Sequence, residues 1–274
     1  MMRHGEDADI RTRYGPWALV AGASAGLGAE FAAQLAAKGL NLVLIARRKE
    51  VLDELAATLM HDYAIEVRTL QLDLGSDDFE SVIMAATSDL EIGLMVYNAA
   101  TVITGPYFEI TLQDHLQEIT VNCRGPMILA YILGQRMFER GRGGMVFMSS
   151  LSSFQGSALI ANYAATKAYS RILGEGLWEE LHTRGIDVVT CSPSAISTPA
   201  YLAGSASRPG RRSSATMTPR EVATETLAAL GKEPVVIPGR GNRLASVLMQ
   251  RVFPRKMAIG LMGHVMRRMY KESS

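Results

Sequence analysis

Cysteine is nearly absent: Cys123 and Cys191 are the only two in 274 residues. They lie far apart and in no metal-ligand spacing, which argues against a disulfide-stapled secreted fold and leaves no metal site to name. Both read as small buried hydrophobes in a protein of a reducing compartment. A charge excess is missing as well. Lys and Arg number 28 against 27 Asp and Glu, a formal net charge of +1, so the whole-chain charge does not argue for nucleic acid as a partner. No apolar run reaches the roughly 20 residues that a membrane span needs. The mixed-charge segment 1–14 has no apolar stretch of the secretory type. There is no solenoid-length repeat and no low-complexity linker. These absences point to a soluble, cytoplasmic protein, and the 48% apolar content suffices for the full core of one large domain or two small ones.

What is there alternates. Short apolar runs at Trp17–Ala21, Asn41–Ala46, Glu66–Leu72, Leu94–Tyr97, Gly144–Met148, Ile186–Cys191 and Val235–Ile237 read as seven strands. Helical spacing fills Ala29–Lys38, Glu50–Asp62, Thr111–Glu139 with a bend at Gly125-Pro126, Asn162–Thr183, and Pro219–Leu230 capped by Thr218. Strands without polar alternation need both sheet faces covered. Their alternation with helices predicts an α/β fold with a doubly wound parallel sheet, a Rossmann fold. The expected layout is an N-terminal tail at 1–14, a Rossmann-fold domain at 15–239 with a long loop at 199–217, and a basic helical tail at 240–274.

The first strand runs into Ala21-Gly22-Ala23-Ser24-Ala25-Gly26-Leu27-Gly28. Glycines at a strand-to-helix turn let the backbone approach a pyrophosphate, and the free N–H groups of the helix start face the anion. The G-x-x-x-G-x-G spacing resembles the cofactor turn of the short-chain dehydrogenase/reductase family, with Ala21 where that family has threonine. The second strand ends Ala46-Arg47-Arg48, without the acid that would bind the 2′-hydroxyl of NAD. Arginines there suit a 2′-phosphate, so the expected cofactor is NADP(H).

Tyr163 and Lys167 stand four apart on a predicted helix and share one face. A nearby ammonium stabilises a phenolate and lowers the tyrosine pKa, so that Tyr163 can exchange a proton with a carbonyl or alcohol oxygen. Ser149 and Ser150 follow the fifth strand at the carboxyl edge of the sheet, where ligands bind in this architecture. Ser150 precedes Tyr163 by 13 residues, a distance that matches the same family. By that resemblance Ser150 holds the substrate oxygen, with Ser149 as the neighbouring alternative and Ser152 after it. Tyr163 is then the acid–base group, Lys167 binds the nicotinamide ribose, and Asn122 holds a water in the proton relay. The resemblance further implies cofactor contacts from Asp73-Leu74, Asn98-Ala99-Ala100, Pro193, Ile196 and Thr198. Tyr97, Ala100 and Ser194 depart from the family pattern at those stretches. The resemblance spans roughly Gly15 to Thr198 and the strand near Val236.

The loop from Tyr201 to Thr216, with Arg208, Arg211 and Arg212, is the expected substrate lid. From Arg240 to Lys271 there are eight Lys/Arg and no acid, interleaved with apolar residues. That pattern suits amphipathic helices that either lie on an anionic membrane or pack on the protein's own cleft or a neighbouring subunit. The resemblance implies a homodimer or homotetramer. Three functions follow in order: NADPH-dependent reduction of a ketone or aldehyde, or oxidation of the alcohol; nucleotide sensing without turnover; and a membrane-associated scaffold working through the tail.

Overall fold

A computed structural model describes residues 10–198 and 216–271. The expected lid and its three arginines lie outside the described residues, Thr216 excepted. Seven strands, β1 (Trp17–Ala21), β2 (Asn41–Ala46), β3 (Val67–Gln71), β4 (Ile92–Tyr97), β5 (Gly143–Met148), β6 (Ile186–Cys191) and β7 (Val235–Val236), form one sheet. Their order is β3-β2-β1-β4-β5-β6-β7 and every pairing is parallel. The expected doubly wound α/β fold is therefore present. Order reverses between β1 and β4, which opens a crevice at the carboxyl ends of those two strands.

Continuous apolar strands feed two cores. Val20, Leu42, Leu44 and Val146 pack with Phe31 and Leu35 of α1 (Gly26–Ala36) on one face. Leu19, Val43, Ile45 and Phe147 pack with Leu129 and Leu133 of α5 (Gly125–Arg140) on the other. Phe31 and Phe147 are fully buried, each worth roughly 1.5–3 kcal/mol over exposure. The remaining helices are α2 (Lys49–Tyr63), α3 (Phe79–Ala86), α4 (Leu112–Ile119), α6 (Ala161–Leu181), α7 (Pro219–Ala229), α8 (Arg240–Val247) and α9 (Arg255–Lys271). Helix α3 has no counterpart in the sequence reading. It has only 8 residues and no side-chain cap, and it is held by burial of Phe79 and Ile83. At α7 the expected Thr218 cap is a full capping box with Glu221.

The long helical stretch from Thr111 is interrupted just ahead of Gly125-Pro126. Residues Thr120–Arg124 form a π-turn between α4 and α5. Pro126 has no N–H to give to the ladder, and the Asn122 carbonyl accepts from Ser170 Oγ at 3.2 Å. Tyr97 Oη donates to the Val121 carbonyl at 2.6 Å. A Cβ at residue 125 would lie 2.1 Å from that phenol oxygen, so Gly125 is what lets Tyr97 cross into the turn.

Residues 10–14 form a helical turn whose Tyr14 is buried and donates to Asp187 Oδ2 at 2.7 Å. Cys191 is fully buried as expected, whereas Cys123, in the π-turn, is only partly covered. The tail packs on the domain by a narrow stripe: Asn242 Nδ2 donates to Ser194 Oγ at 2.9 Å, Arg255 donates to the Phe154 carbonyl, and Ala258 is buried. Leu244, Val252, Met257 and Leu261 stay at least half exposed. Packing on the protein's own surface therefore accounts for only part of the tail's apolar content. Among the described residues, no helix is long and apolar enough to cross a membrane.

Candidate active site

The crevice at the strand-order reversal is a cleft of about 640 Å³. The β1–α1 turn supplies one end. Gly22 has φ +83°, a conformation that disfavours any side chain, and a Cβ there would lie 2.7 Å from the Ala99 nitrogen. The Gly22 and Ala23 N–H groups are anchored on the Ile45 carbonyl at 2.8 and 3.1 Å. Helix α1 starts at Ala25 with no side-chain cap and no acid in its first turn. Its first N–H donors thus face the cleft without a competing anion, a cradle that fits a pyrophosphate.

Gly22, Ser24, Ala25, Gly26 and Leu27 line this end, with Arg47, Asp73, Leu74, Asn98, Ala99 and Ala100 beside them. Gly28 does not line the cleft. Its role is close packing: a Cβ there would lie 2.0 Å from the Gly22 carbonyl oxygen and 2.8 Å from Asn98 Nδ2. Asn98 Nδ2 donates to that same carbonyl at 3.0 Å, so the side chain braces the turn from behind. Asp73 Oδ1 accepts from the Gly75 N–H at 2.9 Å. The two arginines part ways. Arg47 lies on the cleft wall with an exposed side chain, whereas Arg48 is off the wall and donates to Ser24 Oγ at 3.1 Å.

Tyr163 and Lys167 line the far end with Pro193, Ile196 and Thr198. Helix α6 presents both side chains one turn apart, with Lys167 Nζ 5.7 Å from the Tyr163 ring centroid. The ammonium donates to the Met148 carbonyl at 2.8 Å, which ties the catalytic helix to the end of β5. Burial pushes the Lys167 pKa down to about 8, while the charges of Cys123 and Glu118 act in the opposite sense. Burial likewise pushes Tyr163 up to about 12, and the Ser150 hydroxyl pulls it back. The expected lowering of Tyr163 by Lys167 is thus not what this geometry produces. The ammonium is engaged with a backbone carbonyl, and the hydroxyl of Ser150 is the group that favours the phenolate.

The serine alternatives separate. Ser149 lines the cleft, but its Oγ donates to the Lys167 carbonyl at 2.8 Å and is consumed in holding α6. Ser152 is buried. Ser150 caps the following 3₁₀ turn, Oγ accepting from the Ser152 N–H at 3.2 Å, and is the serine that acts on Tyr163. Asn122 is buried behind the cleft rather than on its wall. Both of its side-chain N–H groups are used, on the Thr101 carbonyl at 2.8 Å and Thr166 Oγ1 at 3.0 Å, and its Oδ1 accepts from the Thr101 N–H at 2.9 Å. Its backbone carbonyl accepts from Ser170 Oγ at 3.2 Å. Thr101 and Val102 also line the cleft and lie just past the Asn98-Ala99-Ala100 stretch, in no motif that singles them out.

A family model described as short chain dehydrogenase matches residues 16–206. Over 236 residues the chain is 33% identical to a 7beta-hydroxysteroid dehydrogenase of Clostridium sardiniense, covering 86% of this chain and 90% of that one. A solved structure concerned with 7beta-hydroxysteroid dehydrogenase stereoselectivity superposes with a TM-score of 0.88 at 27% identity, over 92% of this chain and 98% of the other. A short-chain dehydrogenase from Sphingobium yanoikuyae in complex with NADPH gives a TM-score of 0.75 at 28% identity, over 87% and 97%.

Proposed function

Because the chain belongs to the short-chain dehydrogenase family, we propose that it is an NADPH-dependent oxidoreductase that reduces the ketone of a bulky apolar substrate of hydroxysteroid type. The observation that carries this reading is Tyr163 and Lys167 at one end of the cleft, with the Ser150 hydroxyl against the Tyr163 phenol, and the uncapped start of α1 at the other end. When bound, NADPH supplies the hydride. The Ser150 hydroxyl donates a hydrogen bond to the ketone oxygen and holds it against the Tyr163 phenol. The phenol, kept protonated by burial, gives its proton to that oxygen as negative charge develops there. Lys167 offsets the charge left on the phenolate, and the Asn122 carbonyl orients the water that returns the proton. Ile196 and Thr198 hold the nicotinamide end, while the Asp73-Leu74 and Asn98 to Ala100 stretches border the adenosine. The substrate class rests on the names of the relatives, which are hydroxysteroid dehydrogenases.

Arg47 supports the NADPH preference by its place on the cleft wall at the end of β2. Steady-state kinetics with steroid ketones and small aldehydes, with NADPH and NADH in parallel, tests the whole reading. Replacement of Arg47 by Ala is expected to raise KM for NADPH about 10- to 100-fold, as for loss of a charge-assisted hydrogen bond, and to leave NADH nearly unchanged. Equal losses for both cofactors would remove Arg47 from the 2′-phosphate. NADPH binding without turnover on any ketone would make the chain a nucleotide-binding protein instead.

Exposed Leu112, Leu116, Met127, Tyr131 and Ile172 on α4, α5 and α6 support pairing of two copies through these helices. The tail's outward apolar residues, flanked by Arg251, Lys256, Arg267 and Arg268, suit an anionic headgroup layer in an otherwise cytoplasmic protein. Sedimentation is expected to show a dimer that co-pellets with anionic liposomes at low salt and is released at high salt. A monomer, or no pelleting, discards the respective contact.

A further inference from the structure

Glu118 ends α4 and is 1% exposed. Carboxylates are almost never buried this far without a partner, because removing the charge from water is costly. Its contacts are neutral: Oε1 accepts from the Ile103 N–H at 3.0 Å and Oε2 from Asn162 Nδ2 at 2.7 Å. Asn162 gives its other N–H to the His115 carbonyl at 3.1 Å. One carboxylate therefore joins the segment just beyond Thr101 and Val102, on the cleft wall, to the residue immediately before Tyr163. An isosteric apolar pair would pack the same two elements without a desolvated charge, so packing alone does not explain a carboxylate here.

The groups around it give the charge a target. The charge of Glu118 acts on Tyr163 and Lys167 of α6 and on Cys123 of the π-turn, and His115 of the preceding turn of α4 lines the same small cavity. Of these, Lys167 is the cation by nature, and among the described residues its ammonium has only the Met148 carbonyl as a direct hydrogen-bond partner. We propose that Glu118 is a positioning residue for the Tyr163–Lys167 pair: it clamps the first turn of α6 to the Ile103 edge of the cleft and supplies the acidic group of this buried corner. This rests on the hydride-transfer reading above for its consequence, but not for its test. The Coulombic effect of Glu118 favours the charged form of Lys167, opposing the burial that would neutralise it.

The test uses the full chain with ¹³C-labelled lysine. Six lysines are present, and the Lys167 signal is identified by its loss in Lys167→Met. In the unaltered protein Lys167 is expected to titrate near pH 8. In Glu118→Gln, which keeps the shape and loses the charge, its transition is expected to move to lower pH. Glu118→Asp, which keeps the charge, should restore most of that shift. Asn162→Ala breaks the clamp and spares the charge, so it should leave the Lys167 transition in place. With NADPH and a ketone, Glu118→Gln is expected to lower kcat about 10- to 100-fold, the scale of a small misplacement of reacting groups, with KM for NADPH unchanged. An unmoved Lys167 transition in Glu118→Gln would overturn the proposal. A moved transition in a protein that turns over no ketone would sustain the Glu118–Lys167 coupling and defeat the functional reading alone.

Discussion

Replacing Tyr163 by phenylalanine is expected to abolish nearly all NADPH consumption with a ketone, lowering kcat by about 10²- to 10⁴-fold, the contribution of a positioned acid–base group. Phenylalanine keeps the ring that packs in the partly buried site and removes only the hydroxyl. The fold and the glycine turn at the opposite end of the cleft should therefore be untouched. NADPH binding, followed by fluorescence titration, is expected to change by less than a few-fold, because the phosphate cradle at Gly22 to Leu27 is intact. A kcat within tenfold of the unaltered protein would take the proton-donor role away from Tyr163 and leave Ser150 as the group to examine. The environment adds a direction. Burial holds Tyr163 as the neutral phenol, so the proton is present at neutral pH. The charge that must be stabilised appears only as the proton leaves.

The second large effect is expected at Gly28. An alanine there places Cβ 2.0 Å from the Gly22 carbonyl oxygen, against rigid backbone on one side and the bracing Asn98 amide at 2.8 Å on the other. The first is backbone and cannot yield, and the second is a side-chain end pinned by its own hydrogen bond to the same carbonyl. The turn and the start of α1 must separate, at a cost of about 1–3 kcal/mol from overpacking. For a chain of this size that corresponds to a drop in Tm of roughly 2–12 °C. The separation also moves the N–H groups of the helix start, so NADPH binding should weaken by more than tenfold even where the protein remains folded. Gly176→Ala on α6 is the control. Nothing lies within 4 Å of its added Cβ, and alanine is the better helix residue by about 1 kcal/mol, so Tm should hold or rise. Equal behaviour of the two variants in thermal unfolding would mean that the Gly22–Gly28 contact is not the constraint described.

Much of this could be read along the chain, and the reason is periodicity. The apolar run at Asn41–Ala46 and the β-branched run at Ile186–Cys191 read as strands covered on both faces, and both bounds agree with the observed strands. Thr218 followed by Pro219 and Glu221 carries its cap in local sequence, and the cap is there. Helix α3 escaped because its stability comes from two side chains reaching a distant core rather than from its own capping or length. The glycine turn and the i, i+4 spacing of Tyr163 and Lys167 were legible because backbone approach and helical geometry each demand particular residues at particular intervals.

The division of labour within the cleft was not legible in this way. Gly28 and Gly22 look alike in sequence, yet one braces and one lines. Ser149 and Ser150 are neighbours, yet one is spent on the Lys167 carbonyl and the other meets the phenol. Arg47 and Arg48 point to different fates. The alternation of strands with helices, the doubly wound parallel sheet and the shared helix face of Tyr163 and Lys167 were determined by sequence alone, because local spacing and hydrophobic pattern impose them. Only the tertiary structure decided that burial raises Tyr163 instead of Lys167 lowering it, that the Asn122 side chain is spent on Thr101 and Thr166, and that Glu118 joins the corner. Each of these depends on which groups from distant segments are desolvated together, and desolvation is a property of the packed ensemble of neighbours that no interval along the chain encodes.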